Sequence, residues 1–340
     1  MSDLDEAALA RWMRGAIPGF SRLEAVEKFA AGQSNPTYRI TTANGNFVLR
    51  RKPFGKLLPS AHAVEREFRL LTAIHPTGFP VPRPIALCDD ESVVGAVFYL
   101  MEMVEGRIFW DGMLPDVPKV DRRAHYEAMI DTMAALHALD PEAPGLADFG
   151  RPGNYIQRQV ERWTKQYRAS QTDDLPEVEK LIEWLPRTLP EQSCASIVHG
   201  DYRIDNLIYA PGAPRVLAVL DWELATIGDP LADFTYLAMS WVMPRDGRAG
   251  LIGVNLEEAG LPTLDEVVGR YCDAAGRERL EDLHWYFAYN LFRTVCILQG
   301  IKKRMIDGNA SNSQAAATVE NIALLAKAAW SQARNAGSVN

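Results

Sequence analysis

The sequence predicts an α+β protein: a small unit built on an antiparallel sheet with one helix, followed by a larger, mainly helical unit. Three observations carry this. Tyr38, Ile40, Phe47 and Leu49 supply period-two apolar positions on either side of Ala43-Asn44-Gly45-Asn46, the pattern of two strands joined by a tight turn. From about residue 107 the apolar spacing becomes helical, clearest at Tyr126, Met129, Ile130, Met133 and Leu136. A chain of 340 residues with 47% apolar content can also bury the core of two domains or of one large two-lobed unit. The predicted division is 1–104 and 105–340, with a cleft between the two parts where ligands tend to bind.

In order along the chain, an amphipathic helix is expected near 4–15 and two strands between about 23 and 50. A helix near 61–74 follows, its apolar face drawn through Val64, Phe68, Leu71 and Ile74. Pro80, Pro82 and Pro84 stiffen a connection into the apolar stretch Val93 to Val104, read as two more strands. In the second part, Ile204 to Tyr209 and Arg215 to Leu220 flank Ala210-Pro211-Gly212-Ala213-Pro214 as a short hairpin. Helices fit 177–189, 230–241, 264–275, 280–305 and 314–333.

Composition excludes several classes. Lys and Arg total 36 against 44 Asp and Glu, a net charge of −8, which argues against a nucleic-acid coat. The opening MSDLDEAALA is acidic where a signal peptide is basic and then apolar, and no uncharged apolar run approaches a membrane span. A cytoplasmic protein without nucleic-acid or membrane partners is expected. Cys88, Cys194, Cys272 and Cys296 contain no C-x-x-C pair, so they are read as buried small apolar residues. The six histidines contain no H-E-x-x-H or H-x-H pair.

The strongest motif is His199-Gly200-Asp201-Tyr202-Arg203-Ile204-Asp205-Asn206, followed by Leu220-Asp221-Trp222-Glu223. A carboxylate and, five residues on, a carboxamide match the spacing of a phosphotransferase catalytic loop. There the first group orients and deprotonates a hydroxyl while the second helps hold magnesium. A second acid after a hairpin completes a hard-oxygen set of the kind magnesium accepts alongside nucleotide phosphates.

On these residues the chain resembles the aminoglycoside phosphotransferase and choline kinase superfamily, a branch of the protein-kinase-like fold, from about residue 25 to 305. The resemblance implies ATP and magnesium as cofactors and a small hydroxylated molecule as acceptor. It implies Asp201 as catalytic base, Asn206 and Asp221 as metal ligands, and His199 as a prop of the loop. Arg203, two residues past the base, would neutralise charge on the transferred group or grip a carboxylate of the acceptor, unless it is an exposed loop cation. Phe47-Val48-Leu49-Arg50 looks like the strand that delivers the family's phosphate-binding lysine, with Arg50 in its place, and Glu67 is the matching ion-pair partner. Arginine keeps the charge but needs different geometry. Arg51, Lys52 and Lys56 read as a solvated basic edge, or else share the phosphate contact with Arg50. Ala31 to Asn35 would cover the phosphates, with Ser34 donating to one of them. Leu100 to Gly106 resembles the hinge, where the carbonyl of Glu102 and the amide of Val104 would pair with adenine. Asp233 matches a buried aspartate that braces the catalytic loop, and Asp229 caps the helix beginning at Pro230.

Within the superfamily the resemblance is to kinase-like domains fused to some acyl-CoA dehydrogenases and to their free-standing bacterial relatives. Arg50-Arg51-Lys52-Pro53, Gly55 to His62, Asp201 to Asn206 and Leu220 to Thr226 carry it. It implies a hydroxy-acid or hydroxyacyl acceptor. Arg293, Lys302, Lys303 and Arg304 would meet an anionic group on that acceptor, or else complement the dipole of their helix. Residues 1–104 become the nucleotide-covering lobe, with 12 basic and 11 acidic side chains. The remainder becomes the lobe with the catalytic loop, the metal site and the acceptor helices, with 24 basic and 33 acidic side chains. A nucleotide-binding module without catalysis, an aminoglycoside or amino-alcohol kinase and a metal-dependent phosphoesterase remain alternatives. No P-loop or nucleophile elbow occurs. ATP versus GTP and the oligomeric state stay open.

Overall fold

The computed structural model describes residues 4–29, 35–54, 62–151, 153–192, 194–245, 249–308 and 319–337. Its first elements are helix α1 (Glu6–Ala16), strands β1 (Leu23–Lys28), β2 (Thr37–Thr42) and β3 (Gly45–Arg51), helix α2 (Val64–Ile74), and strands β4 (Pro84–Cys88) and β5 (Phe98–Glu102). Helices α3 (Lys119–His137), α4 (Tyr155–Ser170) and α5 (Pro176–Trp184) follow, then β6 (Ser196–Val198), β7 (Leu207–Tyr209), β8 (Val216–Val219) and β9 (Thr226–Gly228). The chain continues through α6 (Pro230–Ala238), α7 (Leu256–Ala259), α8 (Leu264–Ala275), α9 (Leu283–Ile306) and α10 (Ile322–Asn335). No helix among the described residues is long and apolar enough to cross a membrane.

Two units interleave in the sequence. The first comprises Met1–Arg107, Glu142–Asp148 and Leu207–Ala225; the second comprises Ile108–Pro141, Phe149–Asn206 and Thr226–Asn340. Asp221 thus groups with the sheet unit, and Asp201 and Asn206 with the helical one.

The first unit is an antiparallel sheet in the order β1-β2-β3-β5-β4. Its β2 strand alternates as a half-buried strand should, with Tyr38, Ile40 and Thr42 buried and their neighbours less so. Tyr38 and Ile40 share a core with Leu9 and Met13 of α1, each such apolar side chain contributing about 1.5–3 kcal/mol by leaving water. Asp5 starts α1 by accepting a hydrogen bond from the Ala8 amide at 2.9 Å. Helix α2 packs on β4 and β5 and buries Val64, Glu67, Leu70, Leu71 and Ile74. Helical spacing therefore puts Glu67 on the sheet-facing side. The β7–β8 hairpin belongs to this unit too, and Arg107 bridges to Tyr209. A side chain at Gly106 would meet the Tyr209 carbonyl at 2.4 Å, so this approach requires glycine.

In the second unit α9 packs against α10, α4 and α6, and α3 lies on α8. Strand β6 pairs antiparallel with β9, Val198 opposite Thr226 and Ser196 opposite Gly228, so the loop after Val198 and the helix after Gly228 leave opposite ends of a three-residue ladder. Helix α6 is buried along its whole length. Asp229 caps it by accepting from the Leu231 amide at 2.9 Å, and Pro230 occupies its first turn.

Several expectations change. The stretch 23–50 holds three strands rather than two, because Leu23–Lys28 pairs with β2 as an edge strand. Val93 to Val104 holds one strand; the other begins at Pro84, on the opposite edge of the sheet, where a missing amide donor is tolerated. The helices expected at 177–189 and 230–241 both end early, in single 3-10 turns at Leu185–Arg187 and Met239–Val242. Cys194 is exposed, against three buried cysteines, because it lies in the loop before β6, with the Arg277 guanidinium 2.9 Å from its sulfur.

Candidate active site

In the helical unit the chain leaves β6 at Val198 and turns through Gly200, whose φ of 82° is left-handed and favours glycine. The turn is held from below by α6. Asp233 accepts from the backbone amides of His199 at 2.7 Å and Gly200 at 2.8 Å. His137 Nε2 lies 3.3 Å from the same carboxylate, and its Nδ1 lies 2.8 Å from the Tyr271 hydroxyl. Burial alone would push the Asp233 carboxyl up, but the His137 contact, the His199 ring and the loop amide hold it below the ordinary carboxylate range. His199 is fully buried, and its Nδ1 accepts from the Asp201 amide at 3.2 Å. These contacts perform the bracing that the resemblance implied for Asp233 and His199.

Asp201 is thereby set on a fixed backbone. Its Oδ1 accepts from the Tyr236 hydroxyl at 2.7 Å and lies 3.5 Å from Arg203 Nε. Asn206 Nδ2 donates to the Asp201 carbonyl at 2.9 Å and lies 3.4 Å from Asp201 Oδ2. With its nitrogen on the loop, Asn206 leaves its amide oxygen out of these contacts, a hard oxygen of the type magnesium takes. Arg203 is 43% exposed at its side chain and also lies 3.1 Å from Asp205.

In the sheet unit a second polar assembly forms around Arg50 of β3. Its Nε lies 2.8 Å from Glu67 Oε2, although the N–H is not aimed at that oxygen. Its Nη2 donates to Asp221 Oδ1 at 2.5 Å and lies 3.8 Å from Glu223. The Tyr99 hydroxyl donates to Glu67 Oε2 at 3.2 Å, and Asn35 Nδ2 donates to Glu67 Oε1 at 3.0 Å and Glu223 Oε2 at 3.4 Å. His62 Nδ1 lies 3.1 Å from Asn35 Oδ1. Burial works against the Arg50 charge, but Glu67, Tyr99, Asp221 and Glu223 outweigh it and raise its pKa. Burial also drives Glu67 up, to about 7, against the pull of Arg50, and the repulsion of Asp221 and Glu223 adds to it. The Glu67 shift comes first from burial and the Arg50 shift from its anionic neighbours, three carboxylates sharing one guanidinium. Asp221 adopts φ 64° and ψ 63°, a left-handed conformation that Asp tolerates better than most residues, at the head of the 3-10 turn Trp222–Leu224. Its side chain is 36% exposed. Asp221 and Asn206 are both oxygen donors suited to magnesium.

Of the residues singled out in sequence, Arg50, Glu67 and Asp221 come together in the sheet unit, and Asp201, Arg203 and Asn206 in the helical unit. Glu102 is exposed at the end of β5, and Val104 follows two residues on, partly buried. Ser34 and Lys56 lie outside the described residues. Arg51 is not a solvated cation: it is 2% exposed, donates to the Tyr38 hydroxyl at 3.0 Å and stacks 3.7 Å over the Phe54 ring. Lys52 pairs with Glu65 at 2.7 Å. Arg293 is buried in mid-helix rather than at the helix end, whereas Lys302 and Lys303 pair with Asp173 and Asp307. Tyr236 and Glu223 were given no role from sequence; Arg293 was read as meeting an acceptor anion or the helix dipole, and Asn35 as the end of the phosphate-covering turn. The one available signal was position: Tyr236 lies three residues after Asp233, on the same helix face.

The two assemblies and their supporting elements define a class, a phosphotransferase of the protein-kinase-like fold. Residues 25–281 match the model of the phosphotransferase enzyme family, and the chain belongs to that family. It is 42% identical over 338 residues to mouse acyl-CoA dehydrogenase family member 10, a match that covers 98% of this chain and 32% of that protein. The chain spans about a third to two-fifths of the length of the first curated relatives it matches. A crystal structure from Ralstonia eutropha JMP134, provisionally called an aminoglycoside phosphotransferase, is 44% identical with a TM-score of 0.89, covering 98% of this chain and 99% of that one. The aminoglycoside phosphotransferase APH(4)-Ia, solved as a thermostable mutant with ADP and hygromycin B, shares the fold at 14% identity and a TM-score of 0.64, covering 98% of this chain and 100% of that one.

Proposed function

We propose that this chain is an ATP- and magnesium-dependent phosphotransferase that acts on a hydroxyl of a small molecule in the cytoplasm. The observation that carries the reading is the loop geometry. Asp201 is held by backbone and side-chain contacts with one oxygen lightly engaged, while Asn206 engages the loop through its amide nitrogen and not its oxygen. Asp201 orients the acceptor hydroxyl and takes its proton as the new phosphorus–oxygen bond forms, and ADP leaves with the bridging oxygen. Arg203 neutralises charge near the transferred group. Arg50, positioned by Glu67, meets the nucleotide phosphates, and Ser34 donates to one of them. The Glu102 carbonyl and the Val104 amide pair with adenine. Asn206 and Asp221 hold magnesium, which supplies charge neutralisation on the phosphate oxygens.

Kinship with the acyl-CoA dehydrogenase proteins supports a hydroxy acid or hydroxyacyl compound as acceptor. The hygromycin B complex of a fold neighbour supports an amino sugar as the competing class. The test is ATP-dependent phosphorylation of a panel of hydroxy acids, their thioesters and aminoglycosides. Asp201→Asn is expected to lower transfer about 10²–10⁴-fold; full activity in that variant removes the assigned base. A second reading draws on the Arg50–Asp221 bond, which engages a proposed metal ligand. A nucleotide-binding module would show a melting shift with MgATP and no transfer to any member of the panel.

A further inference from the structure

Helix α6 reaches the loop twice. Asp233 holds its backbone amides, and Tyr236, one turn on, holds the Asp201 carboxylate itself. The Tyr236 ring is buried, and burial raises its phenol pKa, so the group stays a hydroxyl and a donor. Its bond falls on Oδ1, the oxygen also nearest Arg203, and leaves Oδ2 with only the long Asn206 contact.

A second helix holds the same turn. Arg293 of α9 is 6% exposed, and its Nη2 donates to the Gly200 carbonyl. Its guanidinium carbon lies 4.6 Å from the Tyr236 ring centroid and 5.4 Å from that of Trp163. No carboxylate lies within ion-pair distance of Arg293 among the described residues, and its buried Nε makes no hydrogen bond. A buried cation without an ionic partner is costly. Burial works against the Arg293 charge, but Tyr236, Tyr289, Tyr155 and Asp201 outweigh it, so the cation is kept behind the tyrosine that holds Asp201.

We propose that Tyr236 and Arg293 are positioning residues for phosphoryl transfer. Tyr236 occupies Oδ1 of Asp201, so Oδ2 is the oxygen that takes the acceptor's hydroxyl proton. Arg293, bonded to the Gly200 carbonyl and backing the Tyr236 ring, keeps that carboxylate from turning. The inference rests on the reading of Asp201 as the base. The proton passes from the acceptor oxygen to Oδ2, the acceptor oxygen forms its bond to phosphorus, and the bond from phosphorus to the bridging oxygen breaks, with ADP leaving; neither Tyr236 nor Arg293 gains or loses a proton.

The test uses the full chain with MgATP and water as the acceptor, followed by phosphate release. Tyr236→Phe is expected to lower kcat about tenfold while KM for ATP changes less than twofold. The same substitution added to Asp201→Asn is expected to cause no further loss, because the hydroxyl then has no carboxylate to hold. Arg293→Lys, which can still donate to Gly200, is expected to retain more activity than Arg293→Met. Wild-type rates in Tyr236→Phe beside an inactive Asp201→Asn would overturn the positioning role and leave the base intact. Full rates in both would overturn the base reading.

A second measurement needs no turnover. In the nucleotide-free chain, amide hydrogen exchange across His199 to Arg203 is expected to accelerate at least tenfold in Arg293→Met and to stay unchanged in Tyr236→Phe, which loses only a side-chain bond. Equal exchange in wild type and Arg293→Met would overturn the clamp.

Discussion

The two polar assemblies are held together by opposite means. Around Arg50, a single cation faces Glu67, Asp221 and Glu223, so the group carries more negative than positive charge in a largely buried setting. Around Asp201, the carboxylate and its loop are held by backbone amides, a carbonyl, a carboxamide and a phenol, each paired in a hydrogen bond, while the Arg293 Nε behind them has no acceptor. The first is unbalanced and gains from an incoming cation or proton. The second is satisfied and resists deformation, as a preorganised catalytic geometry must. Charge is the working property of one region and shape that of the other.

The largest effect tests the shape-governed region. Asp233→Ala leaves two buried amides, at His199 and Gly200, without an acceptor. About 1–3 kcal/mol for each gives an expected loss of about 4 kcal/mol in urea unfolding at neutral pH. Because the folded Asp233 pKa lies below its ordinary value, its contribution is present above the ordinary carboxylate range and is lost as pH falls through the folded value. The wild-type chain is therefore expected to lose stability on the acid side more steeply than the variant. A variant within 1 kcal/mol of wild type would show that the loop does not depend on this brace.

A smaller effect tests the charge-governed region. The Glu67 pKa is raised from 4.5 to about 7, so the folded chain holds a proton there that the unfolded chain has released. Its contribution to stability therefore falls as pH rises from about 4.5 through about 7. Glu67→Gln removes that titration and is expected to flatten the unfolding profile between pH 5 and 8 by about 2 kcal/mol. Parallel profiles would mean that Arg50 fully neutralises Glu67 and that the assembly has no surplus charge.

These regions were not equally legible in the sequence. Spacing within one segment revealed Asp201 and Asn206, five residues apart, whereas Glu67 came from the resemblance: the apolar face drawn on α2 ran through Val64, Phe68, Leu71 and Ile74, and the buried face includes Glu67 as well. Apolar positions on either side of Asn44-Gly45 also revealed β2 and β3, although only β2 alternates cleanly in burial. Spacing hid β1 and β4, the two edge strands: one carries charged residues along its length, and the other opens on a proline. Helix α4 was missed although Ile156, Val160, Trp163 and Tyr167 repeat at helical spacing, because polar residues dominate the segment. Tyr236 and Arg293 act on the loop from 35 and 93 residues away, and such tertiary contacts leave no local pattern. Arg51 read as a surface cation because a basic run beside a proline looks solvated; its stacking on Phe54 and Tyr38 exists only in the folded sheet.

The smallest expected effect separates charge from shape most directly. Arg50 spans two carboxylates at once, with Nε beside Glu67 and Nη2 on Asp221. Lysine keeps the charge but is a compact point donor that cannot fork between them. If charge is what this region supplies, Arg50→Lys costs about 1 kcal/mol of stability and weakens MgADP binding no more than about threefold by calorimetric titration, because one hydrogen bond is exchanged while the cation remains. Arg50→Met, which leaves Glu67, Asp221 and Glu223 with no cation, then has a far larger effect on both. Equal loss in the lysine and methionine variants would show that the guanidinium fork, not its charge, organises the site. The contrast between the two regions would then disappear, since both would depend on fixed geometry.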